Sequence, residues 1–127
     1  MEKVEQVNNR QKADAEEMRQ DLFGAATWHC VVCGGPLAVH GSAQLAHRVP
    51  KHKGLLQKWG SDVINHAINL IPVCSLKCND RVSLGTVRNE AKALLERIVR
   101  INTGRESMPN MTEYYRSVGK EFMDNGR

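Results

Sequence analysis

The sequence has no apolar run near the ~20 residues that a membrane-spanning helix needs. Its first ten residues, MEKVEQVNNR, are too polar for the apolar centre of a signal peptide. These absences argue against a membrane protein and against a secreted one. We therefore expect a cytoplasmic protein, intracellular and non-secreted, that has no membrane partner.

Large aromatic side chains are also scarce, because the 127 residues include only two Phe, two Tyr and two Trp. A chain of this length fits one compact domain and can bury a core. With so few aromatic side chains, such a core would gain from a crosslink between segments that are distant in sequence.

Acidic residues are missing from the middle of the chain. Between Asp21 and Asp80 the only acidic residue is Asp62. The same stretch contains all five histidines and these basic residues: Arg48, Lys51, Lys53, Lys58 and Lys77. The net charge of +4 says little in bulk, but a region of one sign suits a phosphate backbone. The alternative is a solvated surface that happens to lack acids.

Four cysteines form two close pairs, Cys30 with Cys33 and Cys74 with Cys78. In a reducing compartment this spacing indicates a zinc site of four thiolates rather than disulfides. A closed site of this kind is structural and has no open position for substrate. Free or disulfide-bonded cysteines are the alternative, and His29 could replace one thiolate.

The residue pattern predicts an α+β fold in three parts: an N-terminal helical arm over 1–26, a zinc-bound core over 27–85 and C-terminal helices over 86–127. In the core, strands over 36–40 and 44–49 would form a β-hairpin, and 69–73 is a short apolar run that leads into the second cysteine pair. Apolar residues at helical spacing predict helices over 86–102 and 110–123.

The segments AHRVP and NLIPVCSLKCND, read together with the cysteine pairs, resemble the HNH, or ββα-metal, endonuclease family. The resemblance covers about residues 30–83. It implies a ββα-metal core, a β-hairpin plus a helix held by zinc, that hydrolyses phosphodiester bonds of DNA with one divalent metal ion. Asn79 follows the last cysteine where many relatives have histidine, so the match is to the HNN variant.

The resemblance assigns a role to three residues: His47 as general base, Asn69 as the residue that braces the loop, and Asn79 as ligand of a catalytic Mg²⁺ or Mn²⁺. Arg48, Lys51 and Lys53 would contact phosphates. Many relatives have Asp or His before the base as a second metal ligand, and this chain has Ala46. Further candidate ligands are Gln44, His66 and Asp80.

Each of these residues also has a simpler interpretation: a structural histidine, a helix-capping Asn79, a turn residue at 69 and a solvated basic loop. Two other functions stay open at this point, a zinc module or degenerate HNH domain that binds nucleic acid without cutting it, and a protein-interaction adaptor. Double-strand cleavage would call for a homodimer or two separate events, and the helix with Tyr114, Tyr115 and Phe122 is a candidate dimer face.

Overall fold

The computed structural model of the protein describes residues 16–37, 43–84 and 89–124. They form two β-strands, six α-helices and one 3-10 helix. The elements are α1 (16–25), β1 (Gln44–His47), α2 (Lys53–Trp59), α3 (Ser61–Ile64), the 3-10 helix (Ala67–Asn69), β2 (Leu70–Val73), α4 (Leu76–Val82), α5 (Asn89–Asn102) and α6 (Met111–Asp124). The α+β class is thus observed, with a two-stranded antiparallel sheet.

The sheet pairs β1 with β2, so that Gln44 lies opposite Val73 and His47 opposite Leu70. The sequence predicts β1 as the second strand of a hairpin whose first strand would cover 36–40. Most of that segment lies outside the described residues, and its described residue Pro36 forms an isolated bridge with His29. Among the described residues, β1 pairs with the buried apolar run that precedes Cys74. Sequence periodicity cannot identify this partner because four apolar residues fit a strand or a buried helix turn equally well.

The two C-terminal helices lie where the sequence predicts them. The helix expected over 86–102 is described from Asn89, and the last helix covers Met111–Asp124. The helix α2 ends at Trp59, and the next residue, Gly60, has a φ of 89°, which favours glycine. The first 15 residues of the predicted N-terminal arm lie outside the described residues, as do residues 86–88 of the helix predicted over 86–102.

The apolar side chains form two clusters. The first lies around the sheet and contains buried residues of α1, the first cysteine pair, α4 and α6. The second lies among α3, α5 and the residues next to the ends of the strands, Val49 and Ile68. Within the described ranges, no helix has both the length and the apolar character needed to cross a bilayer.

Candidate functional site

The four cysteines come together where the first core cluster reaches the surface. Cys30 and Cys33 lie in the turn after α1, Cys74 follows β2 and Cys78 lies in α4. Their four Sγ atoms are all within 4.8 Å of one another. The fold therefore brings together two cysteine pairs that are distant in sequence. Cys33 and Cys74, for example, are 41 residues apart.

The distances between the sulfur atoms fit a metal ion better than a disulfide. The Sγ atoms of Cys33 and Cys74 are 3.5 Å apart, and those of Cys74 and Cys78 are 3.8 Å apart. A disulfide bond is only about 2.05 Å long. Thiolates at about 2.3 Å from a tetrahedral zinc ion would lie about 3.8 Å apart. The cluster can thus hold a metal such as zinc with four protein ligands, which leaves no position open for substrate.

The backbone around the first pair is shaped to present both sulfur atoms. Gly34, with φ of 79°, turns the chain, and its N–H donates to the Cys30 carbonyl at 2.8 Å. The N–H groups of Cys33 and Gly35 point to sulfur atoms, at 3.5 Å from Cys30 Sγ and 3.4 Å from Cys33 Sγ. These donors stabilise negative charge on sulfur, which is the form that binds a metal.

The four thiols differ in how readily they ionise without a metal. Burial opposes ionisation of Cys33, but the Gly35 N–H and the neighbouring thiols outweigh it and lower its pKa from 9.0 to about 7. Burial raises the pKa of Cys78 to about 12 and also raises that of Cys74. Metal binding therefore has to displace protons from thiols that would otherwise keep them.

His29 takes no part in this cluster, although it precedes Cys30. Its ring is exposed, and Nδ1 lies 2.7 Å from the Thr27 carbonyl oxygen. Thr27 and Trp28 both have positive φ, 56° and 59°. The chain thus reverses at the end of α1, and the His29 side chain stays on the surface.

His47 lies at the last position of β1, half-buried. Its Nε2 is 2.9 Å from the Oδ1 of Asn65, the residue that ends α3. No sequence motif singles out Asn65, because the contact joins two residues that are 18 apart in sequence.

Asn69 is completely buried, with 0% of its surface exposed. Its Oδ1 accepts from the Val49 N–H at 2.8 Å, and its Nδ2 donates to the carbonyl oxygens of Val49 at 3.1 Å and Ile64 at 2.8 Å. A single carboxamide thereby joins the chain just after His47 to the chain just before Asn65. These contacts are what a residue that braces the loop would make.

Two tyrosines of α6 hold the segment on either side of Asn69. The Tyr114 hydroxyl donates to the Ile68 carbonyl at 2.8 Å, and the Tyr115 hydroxyl donates to the Leu70 carbonyl at 2.9 Å. Burial raises the pKa of both hydroxyls, so both remain donors. Both side chains are therefore used within the chain, and no local pattern in the sequence indicates this support of the Asn69 segment.

Asn79 lies in the middle of α4, next to the other end of β1. Its Nδ2 donates to the Gln44 Oε1 at 2.6 Å, and its own Oδ1 has no partner among the described residues. The helix α4 is capped by Ser75, which accepts from the Cys78 N–H. The capping role considered for Asn79 therefore belongs to another residue.

The fold does not join His47 directly to Asn79. Side chains alternate along a strand, so Gln44 and Ala46 share one face of β1 and His47 lies on the other. Ala46 has 0% exposure and packs with Cys78 and Val82 of α4. Of the further candidate ligands, Gln44 contacts Asn79, whereas His66 accepts from the Ile68 N–H and Asp80 is exposed.

The candidate phosphate-binding residues differ in exposure. Lys51 and Lys53 are exposed at the start of α2. Arg48 is only 8% exposed, and its guanidinium pairs with Glu121 of α6 at 2.9 Å. One nitrogen of the Arg48 guanidinium is thus already paired with a carboxylate, which weakens its case as a phosphate-binding residue.

Comparison of the chain with protein families, with curated proteins and with solved structures finds no match in any of the three.

Proposed function

We propose that this protein is an HNH-type endonuclease that hydrolyses phosphodiester bonds of DNA, with His47 as general base and Asn79 as ligand of one divalent metal ion. The observation that carries the proposal is the unit formed by β1, β2 and α4. At one end of this unit lies the four-cysteine cluster. At the other end lies the half-buried His47, and the buried Asn69 joins the segment that follows His47 to the segment that precedes Asn65. The order of these residues along the chain is the order that the HNN resemblance requires.

The residue types fit the reaction. Histidine titrates close enough to neutral pH to take a proton from an attacking water molecule. That water would attack phosphorus, and the bond to the 3′ oxygen would break. The products would have 5′-phosphate and 3′-hydroxyl ends.

A hard divalent cation such as Mg²⁺ or Mn²⁺ prefers oxygen ligands. Asn79 offers a carboxamide oxygen that has no partner among the described residues, and the Gln44 Oε1, which accepts from the Asn79 Nδ2, lies beside the same side chain. Bound there, the ion would stabilise negative charge on the reacting phosphate. Gln44 is therefore the residue of this chain that could replace the ligand missing at Ala46. The cysteine cluster would hold a structural Zn²⁺ and take no part in the reaction.

A plasmid-nicking assay with Mg²⁺ or Mn²⁺ tests the proposal. Wild type should convert supercoiled DNA to the nicked form, and His47→Ala should lower the rate by about 100-fold or more, since general base catalysis contributes about 10²–10⁴-fold. Asn79→Ala should also abolish most cleavage. His29→Ala and Asn102→Ala, which remove an exposed histidine and an exposed asparagine, are the matched controls and should cleave at the wild-type rate.

Zinc content and melting temperature should be measured for every variant, so that lost cleavage can be separated from lost folding. Full activity of His47→Ala would show that His47 is not the general base. Failure of the wild type to cleave any DNA with either ion would reject the endonuclease.

The metal assignment has its own test. Gln44→Glu places a carboxylate beside Asn79, so Mn²⁺ should bind more tightly than to wild type in a calorimetric titration. The zinc-loaded protein must be used, so that the cysteines do not contribute. An unchanged Mn²⁺ affinity would place the ion elsewhere.

A zinc module that binds nucleic acid without cutting it is the second candidate. Two observations favour it. Ala46 is fully buried and can supply no ligand, and His47 lies on the opposite face of β1 from Gln44, the partner of Asn79. Under this alternative, DNA binding measured by fluorescence anisotropy weakens with salt, is unchanged by His47→Ala, and is accompanied by no cleavage.

A further inference from the structure

We propose that Asn65 is the positioning residue of His47: its side-chain oxygen accepts the Nε2–H of the imidazole and leaves Nδ1 as the nitrogen that takes the proton from water. The inference rests on the proposed function, because it assigns a part in the same reaction. Neither the resemblance nor the pattern of the sequence points to Asn65.

The contact itself determines which nitrogen is free. The Oδ1 of a carboxamide can only accept a hydrogen bond, and it lies 2.9 Å from Nε2 of His47. A neutral imidazole has one N–H, so a proton on Nε2 leaves a lone pair on Nδ1. A general base needs that lone pair in a defined direction. Asn65 therefore selects both the tautomer and the orientation of the ring.

Both partners are held by the backbone around them. The Asn65 N–H donates to the Ser61 carbonyl at 2.9 Å, which attaches Asn65 to the end of α3. The buried carboxamide of Asn69 then joins the preceding residue, Ile64, to Val49, two residues after His47. The segments that carry the imidazole and its acceptor are thus fastened to one buried group, so the distance between them is set by the core.

A purely structural role for the contact is a weaker explanation. Asn65 is exposed and His47 is half-buried, so water competes for both groups and the hydrogen bond adds little stability. Orientation of a functional histidine by a hydrogen bond to its other nitrogen is different. Where a histidine binds a metal, loss of such a partner lowers metal affinity or activity by about 10–100-fold, and we expect a loss of the same order for a general base.

The test measures the tautomer and the reaction separately, on the zinc-loaded full chain. Nitrogen-15 NMR of labelled histidine should show Nε2 protonated and Nδ1 unprotonated at position 47 in the wild type. In Asn65→Ala the two nitrogens should move towards averaged values, and plasmid nicking should slow by about 10–100-fold. Asn65→Asp keeps an acceptor and should retain the Nε2–H tautomer and recover much of the rate.

Asn102→Ala, which removes an exposed asparagine at the end of α5, is the control and should leave both the spectrum and the rate unchanged. A wild-type His47 protonated on Nδ1, or an unchanged spectrum and rate in Asn65→Ala, would overturn the inference. If the wild type has the Nε2–H tautomer but nicks no DNA, the proposed function fails, and the positioning role in catalysis fails with it. Because the NMR signal does not require cleavage, it tests the contact between Asn65 and His47 separately from the endonuclease activity.

Discussion

The two ends of the β1–β2 sheet are held by different chemistry. At one end, β2 leads into Cys74 and the chain depends on four sulfur atoms that can share an ion. At the other end, His47 pairs with Leu70, and the chain depends on hydrogen bonds from buried side chains. The first end can bind an ion from outside the chain, whereas the second is held by contacts among the described residues.

One small domain can use both kinds of contact because its two ends have different tasks. The cysteine end has to join segments 41 residues apart, as Cys33 and Cys74 are, and few large aromatic side chains are present to do so. The other end has to keep a polar surface residue, His47, in one place. Directional hydrogen bonds from Asn69 suit that task because they define an orientation as well as a position.

The largest effect should follow removal of the metal from the cysteine end. Structural zinc contributes about 10 kcal/mol or more in zinc-finger peptides, which is comparable to the ~5–15 kcal/mol stability of a whole domain. We expect a strong chelator, or the change Cys78→Ser, to unfold the first core cluster, as followed by circular dichroism and hydrogen exchange.

The control for metal removal is Ser107→Ala, a change at an exposed residue that should alter neither zinc content nor melting temperature. If Cys78→Ser bound zinc and melted like the wild type, the cysteine end would not depend on a metal.

The second effect is at the hydrogen-bonded end. Asn69→Ala leaves three buried backbone groups of Val49 and Ile64 without partners, and each such group costs about 1–3 kcal/mol. We expect a loss of about 3 kcal/mol or more in the free energy of unfolding of zinc-loaded protein, measured with urea. Asn102→Ala should change it by less than about 0.5 kcal/mol, and an equally small change for Asn69→Ala would refute the bracing role.

The third effect is a difference in unfolding free energy between variants of the two tyrosines of α6. Tyr115→Phe removes the donor to the Leu70 carbonyl in a buried site and should cost about 1–2 kcal/mol. Tyr114→Phe should cost less because that side chain is less buried and water can replace its hydroxyl. Urea unfolding of the two single variants measures the difference, and the reverse order would contradict the structural account.

The smallest effect concerns pH. Burial lowers the pKa of His66 below its ordinary 6.5, so the unfolded chain takes up a proton at higher pH than the folded chain. Stability linked to His66 is therefore complete above pH 6.5 and is lost as the pH falls through the lower folded-state pKa. His66→Asn keeps an acceptor for the Ile68 N–H and should show a shallower fall in melting temperature between pH 7.5 and 5.5.

Wild type and His66→Asn contain the same cysteines, so cysteine titration contributes equally to the pH dependence of both melting temperatures. The difference between the two slopes of melting temperature against pH therefore reports His66 alone. Equal slopes would mean that His66 does not titrate differently in the two states.

The cysteine cluster and the positions of the two C-terminal helices could be predicted from the sequence because they depend on spacing and local pattern. Spacing alone indicates that two thiolates in each pair can share an ion, and apolar periodicity indicates α5 and α6. The sequence did not indicate the partner of β1, the contact of Asn65 with His47 or the support of the Asn69 segment by α6. These contacts join residues distant along the chain, so no local pattern encodes them.

The amino-acid sequence by itself determined the class of the fold, the metal-binding potential of the cysteines and the candidates for a nucleic-acid reaction, since these follow from residue type and spacing. Only the tertiary structure decided that Arg48 is occupied by Glu121, that Asn79 lies beside Gln44, and that His47 lies beside Asn65. The physical reason is that the orientation of a side chain depends on which distant segment packs against it.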